Sequence, residues 1–463
     1  MRRGLIVLLV AVVAVAFAMP VAAADFKVSG FVRVKSYMSN YNGEGVLYNG
    51  EDAPTNAFVE ERFRMKFEFG NENVKSVWYV ETDFNFGDSA GGSAPNPARN
   101  SGGALGADKV NLETKNIYVW FKIPDTSMDI TVGLQNQNDD YAGLIYGYAD
   151  MGGIFLTGKY EPVSYKLGWA KLYENAMHES DDMTLYYASA KFVPAKDAKM
   201  GINFYFLQND TNKVGGTLPG TNVLAYPNSE KVYMPGIDGT FKAGPATISG
   251  FFQYQTGKFE ATTPGNKDVD ISAYIIDLRA DMNVGPGKAF FEGLYLSGGD
   301  NTADEFNAPI TLSTNESSPT GNSSYTRANS YIMLASPDTI GIIAQCFLGC
   351  SGSVTDDSPG NRGRGMWMLA AGYAQNLNPK TKIQGNIIYL SATELLKSDK
   401  LANTHMSEDM GTEINARLDY NIYKGLDVGL VGAYVFVGDF YTNAAGQSAK
   451  DVYTTYARLN YAF

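Results

Sequence analysis

The sequence is poor in the residues that build metal centres and redox sites. Among its 463 residues there are only two histidines and two cysteines. So few side chains cannot supply a multi-ligand metal centre or attach several haems. Acidic residues outnumber basic ones, 49 to 37, and no basic run occurs, which argues against a nucleic-acid partner. The composition therefore predicts no metal, no cofactor and no nucleic acid.

Long apolar runs are missing everywhere except at the N-terminus. Residues 2–3 are arginines, 5–17 are apolar, and 22–24 are alanines. This order of a basic region, an apolar stretch and small residues is that of a secretory signal peptide. The apolar stretch is shorter than the ~20 residues of a spanning helix, which disfavours a retained anchor. We predict that residues 1–24 are removed and that residues 25–463 form one domain.

The mature sequence instead contains aromatic residues in regular alternation. Phe or Met occupies positions 63, 65, 67 and 69, whereas Arg, Arg, Lys and Glu occupy 62, 64, 66 and 68. Residues 26–38, 75–86 and 451–463 follow the same pattern. Because successive side chains of a strand face opposite sides, each strand has one apolar and one polar face. This alternation suits both a soluble sandwich and a membrane barrel.

The lengths of the connections distinguish the two architectures. Eight short turns carry the Gly, Pro, Asn and Asp residues of tight turns, and they alternate with nine long connections. The long connections are 40–57, 87–111, 138–151, 174–183, 209–231, 258–268, 299–365, 393–411 and 438–450. Short periplasmic turns and long extracellular loops are typical of outer-membrane barrels. We predict an all-β transmembrane antiparallel barrel of about 18 strands, with 16 to 20 as the range.

The C-terminal strand favours the same location. It alternates aromatic residues and ends on Phe463, which resembles the recognition end read by the bacterial outer-membrane assembly machinery. We therefore expect an integral protein of the Gram-negative outer membrane that contacts its lipid and is inserted by that machinery. A homotrimer is left open as an alternative to the monomer.

Two connections are candidates for narrowing the pore. Connection 299–365 is by far the longest and contains apolar segments, and unusually long loops are commonly functional. We expect it to fold into the lumen, with an added hairpin and 20 strands as the alternative. Connection 138–151 is the second candidate because it carries Asp139, Asp140 and Asp150.

The two cysteines fall within the longest connection. Cys346 and Cys350 are four residues apart, and outside the cytoplasm such a pair can form a local disulfide. Two free thiols are the alternative.

The alternate strand positions that carry polar residues supply the pore-lining candidates. Charged side chains facing lipid would cost ~2–4 kcal/mol each at mid-membrane, so we place them in the lumen. The positive candidates are Arg33, Lys35, Arg62, Arg64, Lys66, Arg279, Arg417 and Arg458. The negative candidates are Glu60, Glu68, Glu81, Asp83, Asp277, Asp281, Glu413 and Asp419. We expect Arg33, Arg62 and Arg64 to form an anion-attracting patch, with pairing of these charges across strands as the alternative.

Several segments also resemble known porins. The runs Gly-Thr-Glu-Ile-Asn at 411–415 and Leu-Asp-Val-Gly-Leu at 426–430 are similar to the closing strands of the alginate-export family. Val-Asn-Leu-Glu-Thr-Lys-Asn-Ile-Tyr at 110–118 resembles uncharacterised porins of anaerobic metal-reducing bacteria. The resemblance is diffuse over 25–463, and it implies an eighteen-strand barrel that passes solutes.

These observations predict a channel and not an enzyme. His178 and His405 both fall in predicted loops, where they form no catalytic constellation with a nucleophile. An 18-strand barrel encloses an aqueous lumen unless loops fill it. We therefore expect passive diffusion of ions or small hydrophilic solutes through a loop-constricted lumen. The alternatives are a sheath around a partner protein, as in an electron conduit, and an adhesive barrel.

Overall fold

The computed structural model describes most of residues 25–463. It covers residues 25–40, 55–89, 102–106, 110–147, 149–174, 177, 179–210, 216–217, 224–225, 227–261, 267–299, 304–312, 325–334 and 361–463. The predicted signal peptide, His178 and both cysteines lie outside the described residues, so cleavage and the disulfide stay predictions.

Eighteen long strands form the wall of a barrel. In chain order they are β1 Asp25–Ser39, β2 Asn56–Gly70, β3 Val74–Asn85, β4 Glu113–Lys122, β5 Met128–Gln137, β6 Ala149–Tyr160, β7 Val163–Tyr173, β8 Met183–Ala195, β9 Ala198–Asn209, β10 Pro227–Ala243, β11 Ala246–Ala261, β12 Val269–Val284, β13 Gly287–Leu296, β14 Met366–Asn378, β15 Thr381–Ser391, β16 Asp409–Tyr423, β17 Leu426–Val437 and β18 Val452–Ala462. Each wall strand pairs antiparallel with its neighbours in sequence.

The sheet closes on itself through its first and last strands. Strand β1 pairs with β2 on one side and with β18 on the other, where Phe31 lies opposite Ala462. The backbone of Phe463 extends this contact by exchanging two hydrogen bonds of 3.0 Å with Gly30. Closure leaves the 18-strand wall without a free edge, as a barrel in lipid requires. The prediction of an 18-strand antiparallel barrel is confirmed.

The remaining regular elements are short. Glu305–Phe306 adds two residues in parallel to the end of β12, and Gly216–Thr217 pairs with Leu224–Ala225. One α-helix of six residues, α1 Lys397–Ala402, occurs in the described part of the chain. No helix among the described residues is long and apolar enough to cross a membrane.

Turns and loops alternate around the barrel as the sequence predicted. Eight connections of two to five residues lie at one end, called here the short-turn end, and nine longer ones lie at the opposite end, the long-loop end. Gly244 and Gly425 have φ values of +60° and +81° in two of the short turns. Positive φ is readily adopted by glycine, which explains why these tight turns contain it.

The two faces of each strand differ in chemistry. On β12, Tyr274, Ile276 and Leu278 are exposed on the outside, whereas Ile275 and Asp277 between them are buried inside the barrel. The same alternation on the other strands gives an apolar outer belt, whereas the inner face carries polar and charged groups together with a large apolar cluster that includes the inward connections. Such a distribution matches a wall that contacts lipid outside and water or protein inside.

Candidate functional site

The connection between β5 and β6 folds into the barrel around one carboxylate. We call its described residues 138–147 loop A. Asp139 Oδ1 accepts the N–H groups of Tyr141 (2.9 Å) and Gly143 (2.7 Å), and its Oδ2 accepts those of Ile145 (2.6 Å) and Tyr146 (2.9 Å). Burial raises the pKa of Asp139 to about 6, although these four hydrogen bonds favour the ionised form. The carboxylate thus shapes the loop.

Loop A packs against the inner wall. Tyr141 and Tyr146 are at most 1% exposed, and their rings lie 5.5 and 5.7 Å from the ring of Tyr205 on β9. The Tyr205 hydroxyl donates to Asp140 (3.0 Å), and Lys191 of β8 pairs with the same carboxylate at 2.5 Å. Aromatic packing and charged hydrogen bonds therefore hold loop A on the wall formed by β8 and β9.

The long connection between β13 and β14 also enters the lumen. We call its described parts, 304–312 and 325–334, loop B. Leu312 donates its N–H to the carbonyl of Ile145 in loop A (2.8 Å). The side chain of Gln255 on β11 bonds both the N–H and the carbonyl of Ile310, at 2.7 and 3.0 Å. Loops A and B therefore contact each other inside the barrel. The strands that flank each loop pair directly with each other, so the described parts of the two loops add no pair of strands to the wall.

A buried glutamate on β16 anchors the second part of loop B. Glu413 is 0% exposed and accepts hydrogen bonds from the Ser330 hydroxyl (2.6 Å) and from three successive backbone N–H groups. Those groups belong to Tyr331 (2.7 Å), Ile332 (3.2 Å) and Met333 (2.9 Å). A carboxylate that accepts this many donors is a strong attachment point for a loop. Glu413, a candidate for the charged lumen wall, thus contacts protein.

A second attachment point lies on β12 and β13. Arg327 pairs with Asp277 at 2.7 Å, and the Tyr325 hydroxyl donates to the same carboxylate at 3.0 Å. Arg279 pairs with Asp281 (2.9 Å) and with Glu292 of β13 (2.8 Å). The sequence analysis did not single out Glu292 or Arg327. The signal for Glu292 was a lone acid at a lumen-facing position of a strand whose only other charged residue is Lys288.

The first three strands carry the predicted basic patch. Arg62 forms a two-point ion pair with Asp83, at 2.7 and 2.5 Å, and Arg64 pairs with Glu81. Lys35 lies 3.4 Å from Glu60. These contacts match the alternative of pairing across strands, because two of the three arginines proposed to attract anions face carboxylates. Arg33 donates to the Asn460 side chain at 3.4 Å.

The remaining pore-lining candidates lie nearer the short-turn end. Lys66 pairs with Glu68 at 2.5 Å. Arg458 bridges Asp419 (2.9 Å) and Asp427 (2.5 Å), and Arg417 also pairs with Asp419 (2.7 Å). Lumen-facing charges of both signs therefore occur in mixed networks on both sides of the β1–β18 junction.

One constriction candidate lies elsewhere than predicted. Asp150 is the second residue of β6 and not part of loop A. Its carboxylate pairs with Lys115 (2.5 Å) and accepts from Asn116 (2.7 Å) and Asn136 (3.1 Å). The connection ends three residues earlier than the predicted 138–151, because pairing with β5 extends to the contact between Ala149 and Gln137.

The described residues contain no group of three or more His, Cys, Asp or Glu side chains arranged to hold a metal ion. The arrangement instead offers a lumen narrowed by two inward loops and lined by paired charges. Such a wall can bind and orient hydrated solutes.

Solved structures with the same architecture include a porin and an outer-membrane protein. OpdQ from Pseudomonas aeruginosa aligns over 95% of this chain and 98% of its own, with a TM-score of 0.53 and 11% identity. A BenF-like porin from Pseudomonas fluorescens Pf-5 covers the same shares with a TM-score of 0.52 and 8% identity. The outer-membrane protein opdK from Pseudomonas aeruginosa gives 0.51 and 9% over the same shares. No protein family and no curated protein matches the sequence.

Proposed function

We propose that this chain is an outer-membrane channel through which small hydrophilic solutes diffuse passively. The observation that carries the proposal is a closed 18-strand barrel with an apolar outer belt, narrowed inside by loops A and B. Closed barrels of this size enclose an aqueous channel wherever loops leave it open. The architecture shared with a BenF-like porin supports the same function.

The pairing of the lumen charges suggests weak selectivity among simple ions. On β1–β3, four cations (Arg33, Lys35, Arg62 and Arg64) stand beside three carboxylates (Glu60, Glu81 and Asp83). A paired wall produces a much weaker field than a ring of one sign. We therefore propose discrimination mainly by size and hydrogen bonding.

A sheath around a partner protein fits the lumen less well. Loops A and B bury Tyr141, Tyr146 and Tyr331 inside the barrel, each to 1% exposure or less. A folded partner would have to displace both loops together with their carboxylate anchors. If the folded protein does not conduct, we would conclude that it is an adhesive barrel.

The location and assembly of the protein follow from the same proposal. The long-loop end would face the cell exterior and the short-turn end the periplasm. Residues 1–24 would direct export and be removed, and Phe463 would present the C-terminal strand to the assembly machinery. We retain the resemblance to the alginate-export family and the homotrimer as further proposals. No chemical step is part of this function.

Single-channel recording tests the proposal directly. The mature chain, residues 25–463, is refolded in detergent, checked for a folded barrel by circular dichroism and heat-dependent gel mobility, and added to a planar bilayer. Steady unitary currents and swelling of liposomes in small solutes are expected. A protein that is folded by both criteria but carries neither current nor solute would contradict the proposal.

A further inference from the structure

A polar cavity lies on the lumen side of the first five strands. Its volume is about 290 Å³, and its lining includes two phenols, three carboxamides and one ammonium group: Tyr79, Tyr118, Asn116, Gln135, Asn136 and Lys66. Lys66 stands opposite Tyr79, and Tyr79 stands opposite Asn116, so these side chains form one row across β2, β3 and β4. The cavity is one lumen-facing row closer to the short-turn end than Arg64 and Glu81.

The one charged residue that lines this cavity is already paired with a carboxylate. Lys66 is its only charged lining residue, and its Nζ lies 2.5 Å from the carboxylate of Glu68. An incoming anion would have to compete with Glu68, and an incoming cation would find no carboxylate among the lining residues. The other lining groups are neutral donors and acceptors, which are satisfied by neutral polar ligands.

The carboxamides are held in position before any ligand arrives. The amide nitrogens of Asn116 and Asn136 both donate to Asp150, at 2.7 and 3.1 Å. Gln135 accepts from Gln137 at 3.2 Å and is 6% exposed, and its Nε2 has no acceptor among the described residues. A buried amide donor with no partner is costly, so turning this amide towards a ligand acceptor in the cavity would be favourable. Fixed side chains also reduce the entropy lost on binding.

We propose that this cavity is a binding site for a neutral polyhydroxylated solute of the size of a monosaccharide. Hydroxyl groups both donate and accept, which suits a lining of carboxamides and phenols. The apolar C–H face of such a solute can pack on the rings of Tyr79 and Tyr118. The inference rests on the proposed channel function, because a solute leaving the narrow part of the lumen would reach this cavity next.

The test uses a neutral hexose and the acid with the same carbon skeleton. Unitary current through the full mature chain is recorded while D-glucose or D-gluconate is added on the short-turn side. Glucose is expected to reduce the current in a saturating manner, and gluconate is expected to act only at higher concentration. Substituting Gln135→Leu, or Tyr118→Leu in a second variant, should raise the half-blocking glucose concentration about tenfold, as expected for one lost hydrogen bond or ring contact.

A matched control and two outcomes keep the two proposals separate. Gln384→Leu changes another lumen-facing glutamine, on β15 and outside the cavity lining, and should leave the glucose response unchanged. Currents that are insensitive to glucose, or blocked more strongly by gluconate, would overturn the binding proposal while leaving the channel intact. Absence of any current from the folded protein would instead overturn the channel itself.

Discussion

Glu413 provides the sharpest test of how the long loop is held. Its Oε2 accepts the Ser330 hydroxyl and two backbone N–H groups, and its Oε1 accepts the N–H of Tyr331. In the Glu413→Gln variant one oxygen becomes an NH₂ group, which cannot accept and which faces donors. Hydrogen bonds to a charged group contribute ~1.5–3 kcal/mol each, so we expect docking of loop B to weaken by about 3 kcal/mol. This corresponds to roughly a hundredfold higher population of the undocked loop.

The expected readout is electrical, because the barrel wall itself should remain folded. Single channels of Glu413→Gln should flicker and spend time at a larger conductance than the unsubstituted protein. Glu68→Gln is the matched control, since Glu68 is also a lumen carboxylate but pairs with Lys66 and not with a loop. If Glu413→Gln kept the parent conductance and noise at unchanged barrel stability, Glu413 would not be the anchor that the geometry indicates.

Three further outcomes are expected. Packed loop A should bind a proton more tightly than the unpacked loop, since burial raises the pKa of Asp139 to about 6 from a usual value near 4. Acidification from pH 7 to pH 4 should therefore favour packed loop A and lengthen the periods of low conductance. Asp139→Asn should remove this pH dependence in recordings at several pH values. In Gly236→Val a Cβ would lie 2.1 Å from the Tyr141 hydroxyl, so loop A should be displaced and the conductance enlarged. The free energy of unfolding should fall by ~1–3 kcal/mol. Adding Tyr141→Phe should partly restore the parent conductance. Asp83→Asn should remove one of the two carboxylate partners of Arg62 and move the reversal potential towards anions, and an unshifted potential would mean that this pair does not screen the pore.

The barrel could be read from the sequence because its determinants are local. Residue alternation assigns each side chain to the outer or inner face, and turn chemistry marks each reversal of the chain. The run 62–69 already separates apolar outer residues from charged inner ones. Closure then requires only an even number of strands, which the rhythm of short and long connections supplied.

The contacts of the lumen charges were decided by tertiary structure alone. Glu413 and Ser330 are 83 residues apart, and Arg327 and Asp277 are 50 apart, so no local pattern could pair them. Parity predicted that Glu413 and Asp277 face inward, but a face does not specify what else occupies the lumen. Asp150 shows the same limit, because the first residue of β6 is set by pairing with β5. By itself the sequence determined the wall, because its periodicity is local. Closure of the wall around the loops then decided which wall charges contact protein and which line the open part of the lumen.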